Sequence, residues 1–209
     1  MQTDMTVGKP MKMILDFTIP VFIGNVFQQF YNMADAIIVG KFVGTKGLAA
    51  VGATGTIMFL IIGFLMGLTA GFTVLTSQKF GAGKMDEMRQ SVGNAALLSV
   101  AISVIMTVGS MVGMRALLTL MHTPEDIFQD SYTYIMIICG GIFAQVLYNI
   151  LASILRALGN SKTPLYFLIL AALLNVALDL LFIIVFHMGV AGAAWATITA
   201  QGVSGLLCL

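Results

Sequence analysis

Long apolar runs, separated by short polar segments, dominate the chain and predict its elements. A helix needs about 20 mostly apolar residues to cross a bilayer. Six helices of that kind are predicted, over residues 14–40, 48–78, 92–118, 130–155, 164–186 and 190–209. The apolar residues stand at consecutive positions within each run, whereas the strands of a membrane barrel alternate apolar and polar residues. The pattern therefore predicts an all-α integral membrane protein.

Composition supports this prediction and excludes two other classes of protein. The chain of 209 residues is 59% hydrophobic and 9% charged, whereas a soluble domain has about 25% charged residues. Too few polar residues are present to cover a water-exposed surface, so lipid has to cover it. The 10 Lys and Arg residues are balanced by 9 Asp and Glu. This leaves no basic face for nucleic acid, and we expect no nucleic-acid partner.

The distribution of Lys and Arg predicts the orientation in the membrane. Short cytoplasmic loops carry an excess of these residues. One side of the predicted bundle holds Lys9, Lys12, Lys79, Lys84, Arg89, Arg156 and Lys162, and the other holds Lys41, Lys46 and Arg115. We therefore expect a multi-pass protein of the cell membrane with a cytoplasmic N-terminus.

The last apolar run reaches Leu209 with no charged residue after it. A final membrane helix normally leaves the bilayer through an anchoring loop that carries polar residues. We therefore expect the chain to be a fragment that lacks everything after its sixth helix.

Polar side chains form a stripe on the first predicted helix. Asn25, Gln28, Asn32 and Asp35 fall within about 80° of one another at 100° per residue. Polar residues within membrane helices are costly and usually face the bundle interior or a watery cavity. Pro20 precedes the stripe and predicts a bend, because proline removes a backbone hydrogen bond.

Similar polar groups recur on the later helices. They are Tyr134, Gln145, Asn149 and Arg156 on the fourth predicted helix, Asn175 and Asp179 on the fifth, and Thr197 and Gln201 on the sixth. The amides alone are equally well explained by hydrogen bonds between helices. Two buried acids are not, because an intramembrane acid is a functional candidate by default. With the Asn and Thr oxygens near them, the acids predict an exchangeable site for H⁺ or Na⁺.

Glycines at four-residue spacing suggest where helices approach each other closely. Gly63, Gly67 and Gly71 lie on the second predicted helix, and Gly109 and Gly113 lie on the third. Faces made of small residues let neighbouring membrane helices come close. We therefore expect packing contacts along both stripes.

Sequence motifs of enzymes and of ATP-driven pumps are missing. The segment Gly81 to Met85 falls short of a phosphate-binding loop, which needs Gly where Gln78 stands and Ser or Thr where Met85 stands. His122 and His187 lie at helix ends without a nucleophile or metal ligand beside them. We expect a protein that is not an enzyme and that uses no cofactor other than a coupling ion.

Five ordered motifs reveal a family resemblance. They are DAIIVG at 35–40, GLAAVG at 47–52, QKFGAG at 78–83, RALGNSKTP at 156–164 and GVAGAAWAT at 189–197. Over essentially its whole length, the chain resembles the N-terminal half of the multidrug and toxic compound extrusion (MATE) family, in its DinF-like bacterial branch. Each motif is modest alone, and their order and spacing carry the resemblance.

The resemblance implies a fold and a function. The full protein would have twelve helices in two six-helix lobes, with the C-terminal lobe missing here. Its partners would be small-molecule drugs or toxic organic cations and the surrounding membrane lipid, and it would work as a monomer. It would export its substrates by alternating access, in exchange for H⁺ or Na⁺.

The resemblance also implies roles for individual residues. A cation-coupling site, which would also be the site of Na⁺, would consist of Asp35, Asn175, Asp179 and Thr197. A polar network lining the cleft would consist of Gln28, Asn32, Tyr134 and Asn149, and the first helix would bend at Pro20.

Two other functions remain open at this point. A lipid-linked oligosaccharide flippase of the same superfamily would hold pyrophosphate with a cationic cleft, whereas Asp35 and Asp179 are the only charges deep in the predicted helices. A half-size transporter that pairs with a second copy of itself would end naturally after residue 209. A membrane enzyme would need reactive groups that the chain does not offer.

Overall fold

The computed structural model describes residues 10–209, and Lys9, which contributes to the predicted charge asymmetry, lies outside them. Within that range the fold is built from helices. They are α1 (Pro10–Phe42), α2 (Thr45–Gly81), α3 (Met85–Leu120), α4 (Glu125–Gly140), α5 (Ile142–Ala157), α6 (Lys162–Asp179) with a π-helical continuation (Leu180–Val185), and α7 (Val190–Leu207). Long apolar stretches with short turns between them account for this order.

Six crossings of a membrane are available in the described residues. Five helical runs are long and apolar enough to span one, and the bent pair of α4 and α5 together makes a sixth. The predicted all-α membrane protein with six transmembrane helices is therefore confirmed.

The fourth crossing is broken, whereas the sequence predicts one helix over 130–155. The axes of α4 and α5 meet at 48°. A Cβ atom at Gly141 would lie 2.3 Å from Cγ1 of Ile198 on α7. Because Gly141 has no side chain, α7 can pack directly against the backbone at the break.

The fifth crossing changes its helix type directly after Asp179. The predicted helix over 164–186 is α-helical as far as Asp179 and π-helical over Leu180–Val185. The Phe186 amide donates to the Leu181 carbonyl at 3.1 Å, which is the five-residue spacing of a π turn. A Cβ atom on Gly192 of α7 would lie 3.1 Å from Cβ of Phe182, so α7 packs against the widened turn.

Helix α7 lies at the centre of the lobe, in contact with α4, α5 and α6. Its fully buried face is made of small side chains, including Ala193, Ala194 and Ala196. Helix α1 packs mainly against α6, far from it in sequence, and less extensively against the adjacent α2. This arrangement brings polar residues of α1, α6 and α7 to one place.

The expected packing along the two glycine stripes is wrong. A Cβ atom at Gly63, Gly67, Gly71, Gly109 or Gly113 would meet nothing within 4 Å. These glycines face open space in the described chain. The close approaches occur instead at glycines outside both stripes, such as Gly141 and Gly205.

Candidate cation site

The candidate site lies where α1, α6 and α7 meet. Asp35 comes from α1, Asn175 and Asp179 come from α6, and all three side chains are buried. The Asn175 Nδ2 group donates to Thr197 Oγ1 of α7 at 3.4 Å. The structure therefore brings together the four residues predicted to form the cation site.

The two carboxyl groups are close enough to influence each other. Oδ1 of Asp35 and both carboxylate oxygens of Asp179 are buried, and no described group donates a hydrogen bond to them. No Lys or Arg forms an ion pair with either acid within the described range. Two neighbouring carboxylates without a donor carry a large electrostatic penalty, which a proton or a bound cation would remove.

Tyr31 belongs to this cluster, although the polar stripe does not predict it. Its hydroxyl donates to Thr197 Oγ1 at 3.3 Å, so one threonine oxygen accepts hydrogen bonds from both α1 and α6. Tyr31 stands about 40° outside the predicted stripe on the helical wheel. A tyrosine within an apolar helix is also a normal core residue, so the sequence carries no signal that would have singled it out.

Asp35 borders a cavity of about 370 Å³, whereas Asp179 is not part of its lining. Its lining includes three of the predicted network residues, Gln28, Asn32 and Tyr134, along with Tyr31 and Asp35. The other lining residues are Asn25, Gln29, Met58, Ile62, Met66, Gln145, Thr197 and Gln201. No Lys or Arg is among these residues, and Asp35 is the charged residue of the lining, so we call this space the acidic cavity.

Asn149 and Pro20 line a second cavity, of about 330 Å³. The stripe predicted on the fourth helix divides between Gln145 and Asn149, which both lie on α5. The acidic cavity is lined by Tyr134 and Gln145, whereas the second cavity is lined by Asn149 and Arg156. The predicted network therefore spans two cavities.

Helix α1 passes through Pro20 without a break. It is one continuous helix over Pro10–Phe42, with Pro20 in its interior. Asn25, Gln28 and Met66 line both cavities. A change in the direction of α1 at Pro20 would therefore alter both.

The donor set is suited to a small cation. It offers two carboxylates, the Asn175 side-chain oxygen, which is buried without a donor, and the Thr197 hydroxyl. Hard cations prefer oxygen ligands of this kind. Within residues 10–209, no group of three or more His, Cys, Asp or Glu side chains is placed to hold a metal ion. Two carboxylates assisted by neutral oxygens fit H⁺ or Na⁺.

Comparisons with known proteins agree with this architecture. The chain is 34% identical to the probable multidrug resistance protein YpnP of Bacillus subtilis, over 97% of this chain and 46% of that protein. It is 24% identical to the DNA damage-inducible protein F of Escherichia coli, over 91% of this chain and 41% of that protein. These proteins place the chain among DinF-like relatives.

A solved structure shares the fold. The crystal structure of a MATE protein in the bent conformation is 29% identical, with a TM-score of 0.90, over 96% of this chain and 45% of that one. The chain spans about half the length of the curated relatives it matches, and it corresponds to one lobe of the MATE fold.

The MatE family model matches residues 20–181, which is most of the chain. Members of this family are transporters rather than enzymes. The matched range contains the cluster of α1 and α6 that carries both buried acids. Sequence, fold and site thus lead to one conclusion, that the chain belongs to the MatE family.

Proposed function

We propose that the whole protein is a cation-coupled multidrug antiporter, in which residues 1–209 form one lobe. It exchanges H⁺ or Na⁺ for organic cations and amphipathic compounds by alternating access. It lies in the plasma membrane with its N-terminus in the cytoplasm, an orientation supported by the excess of Lys and Arg on the loops of that side.

The observation that carries this proposal is the uncompensated acid pair. Asp35 and Asp179 are 9% and 0% exposed, and no described donor reaches the buried oxygens. Such a pair is stable only while it holds a positive charge. Cation release therefore raises the free energy of this packing, and cation binding lowers it.

The hydrogen bonds around Thr197 give cation occupancy a structural consequence. Thr197 accepts from Tyr31 of α1 and from Asn175 of α6. A change at the acids therefore reaches three helices, one of which carries Pro20 and another the π-helical turn after Asp179. Coupling between cation and substrate is reciprocal, and such couplings are typically about 1–3 kcal/mol.

The acidic cavity suits a small amphipathic cation. Its volume is about 370 Å³, which is within the usual range for small-molecule sites. Met58 and Met66 supply flexible apolar surface, and Tyr31 and Tyr134 supply aromatic rings. Methionines adapt to varied ligands, and aromatic faces attract cations.

Replacement of each acid tests the coupling. Asp35→Asn and Asp179→Asn, introduced into the protein with its complete reading frame, should abolish gradient-driven efflux of a fluorescent cation such as ethidium. Asp130→Asn is the matched control, because Asp130 is exposed, and it should transport as the wild type does. Normal efflux by both acid variants, at equal amounts in the membrane, would refute the assignment.

The coupling ion is identified by the gradient that drives transport. In proteoliposomes, a pH gradient without Na⁺ and a Na⁺ gradient at constant pH are imposed separately on the wild type. Transport under one gradient identifies its ion, and transport under both indicates a site that accepts either. Transport that needs neither gradient would contradict an antiporter.

The charges of the acidic cavity argue against one of the two alternatives from the sequence. A flippase for lipid-linked oligosaccharides needs cations in its cleft, and none lines the acidic cavity. A self-pairing half-transporter would form a dimer of this lobe. Light scattering of the purified protein with its complete reading frame separates that dimer from a two-lobe monomer.

A further inference from the structure

The second cavity differs in charge from the acidic one. It has a volume of about 330 Å³ and lies between α1, α2, α5 and α6. Arg156, in the last turn of α5, is the cationic side chain of its lining, and the lining contains no Asp or Glu. The cavity is therefore positive, although it shares Asn25 and Gln28 with its acidic neighbour.

The charge of Arg156 is not neutralised by another described residue. No carboxylate within residues 10–209 forms an ion pair with it. Tyr148 lines the cavity beside it, and the Tyr148 hydroxyl donates to the Pro164 carbonyl at 3.3 Å. Asp16, one turn before Pro20 on α1, is exposed and does not line the cavity. The cavity therefore contains a cation without a counter-ion.

Ser161 offers a hydrogen-bond donor beside that charge. It is 6% exposed and lines the cavity, and its hydroxyl makes no hydrogen bond to another described residue. The loop that carries it is held by its neighbours, because Asn160 Nδ2 donates to Thr163 Oγ1 at 2.9 Å and the Thr163 amide donates to Asn160 Oδ1 at 3.1 Å. Ser161 is thus fixed in position with an unused hydroxyl.

The charged end of the cavity lies at a loop that is predicted to be cytoplasmic. Arg156 and Ser161 flank the loop between α5 and α6, on the side of the bundle with more Lys and Arg. From that loop the lining follows α1 inward from Pro20 to Gln28, about 12 Å along the helix. An anionic group held by Arg156 would sit at the membrane surface, and its apolar part could follow α1 inward.

We propose that this cavity binds the phosphate group of an anionic ligand, with Arg156 as the charge partner and Ser161 as a hydrogen-bond donor. A phosphate accepts two parallel bonds from a guanidinium, and a buried hydroxyl satisfies a third oxygen. The source is either a phospholipid headgroup or a soluble phosphate compound. The proposal does not depend on the cation site, and either can fail without the other.

Thermal unfolding of the purified protein, with its complete reading frame, tests the proposal. The buried free thiols Cys139 and Cys208 become reactive to a fluorogenic dye on unfolding. Phosphatidylglycerol, inorganic phosphate and dioleoylglycerol are titrated in a neutral detergent. We expect a phosphate-bearing probe to raise the midpoint by several degrees and dioleoylglycerol, which lacks phosphate, to have no such effect.

Variants connect the effect to the cavity. Arg156→Gln should raise the half-saturating concentration at least about tenfold, because it removes a hydrogen bond to a charged group. Arg156→Lys should weaken binding less than Arg156→Gln does, because it keeps the charge but loses the two parallel bonds of the guanidinium, and Ser161→Ala should weaken binding about threefold. Arg115→Gln is the control, because Arg115 is exposed near the far end of α3.

The outcomes identify the source of the phosphate group or overturn the proposal. A response to phosphatidylglycerol alone identifies the lipid as the source, and an equal response to inorganic phosphate identifies a soluble compound. Wild-type affinity in Arg156→Gln, or a response to dioleoylglycerol as large as that to the phosphates, would overturn the proposal. If Arg156→Gln does not fold, unchanged affinity in Ser161→Ala overturns it instead.

Discussion

Helices α3 and α7 cross the same membrane in opposite surroundings. Half of the apolar window of α7 is buried inside the lobe, against 17% of that of α3. Large side chains such as Ile105 and Val112 are exposed on α3, whereas α7 buries alanine and glycine. Apolar character therefore identifies both helices as spans, and side-chain size decides which of them becomes the centre.

The glycines of the two helices show that position matters more than composition. A Cβ atom on Gly192 or Gly205 of α7 would lie 3.1–3.2 Å from a neighbouring atom, and one on Gly109 or Gly113 of α3 would meet nothing. The four predictions below replace residues around α7 and α3, and they start from the largest expected effect.

Gly141→Ala should have the largest effect, because the new Cβ atom would lie 2.3–2.6 Å from three side-chain atoms of Ile198. Overpacking of this kind costs about 1–3 kcal/mol and occasionally more. We expect a loss of about 3 kcal/mol, measured as a lower unfolding midpoint in detergent. Ile198→Ala in the same chain should recover part of the loss, and an unchanged midpoint in the single variant would disprove the contact.

Gly192→Ala should cost about 1–2 kcal/mol. Its Cβ atom would lie 3.2 Å from the carbonyl carbon of Phe182, within the π-helical turn, and backbone moves less readily than a side chain. Gly202→Ala on the same helix is the control, since its nearest neighbour would be Ala144 Cβ at 3.6 Å. Equal midpoints for the two variants would contradict the role of close packing in α7.

Thr197→Val should cost about 1 kcal/mol, because it keeps the volume and removes the acceptor for Tyr31 and Asn175. Hydrogen bonds between membrane helices are modest in energy, so the midpoint should fall only slightly. Thr197→Ser restores the hydroxyl and should restore the midpoint. A valine variant as stable as the wild type would show that these hydrogen bonds do not contribute to stability.

Gly109→Ala and Gly113→Ala on α3 should have the smallest effect. Open space surrounds both positions, and alanine favours a helix over glycine by about 1 kcal/mol. The midpoints should stay equal or rise slightly. A clear fall for either variant would mean that the α3 glycines are packing positions after all, and the contrast with α7 would disappear.

The spans and the two acids could be predicted because lipid imposes strong local rules. A bilayer demands long apolar runs, and it makes Asp35 and Asp179 stand out in any such run. The broken fourth span depends instead on a close approach of Ile198, which is distant in sequence from Gly141. Apolar residues flank the break on both sides, so no hydropathy pattern marks it.

Tyr31 and the glycine stripes both show a limit of prediction from the sequence. The role of Tyr31 depends on the position of Thr197 on another helix, and the predicted packing of Gly63 and Gly67 depends on neighbours that residues 10–209 do not supply. A helical wheel gives the direction of a side chain relative to its own helix. Which helix lies in that direction is set by the tertiary fold.

The packing of α1 against α6 has a consequence for how the protein is made. Asp35 enters the membrane early in synthesis, whereas Asp179 and Thr197 follow near the end of the lobe. At about 5–20 residues per second, roughly 7–30 seconds of translation separate the two acids. Throughout that interval the newly inserted α1 exposes an acid whose partners the ribosome has not yet delivered. A chain stalled before α6 keeps that acid exposed, which gives quality-control proteases a chemical difference between an unfinished lobe and a finished one.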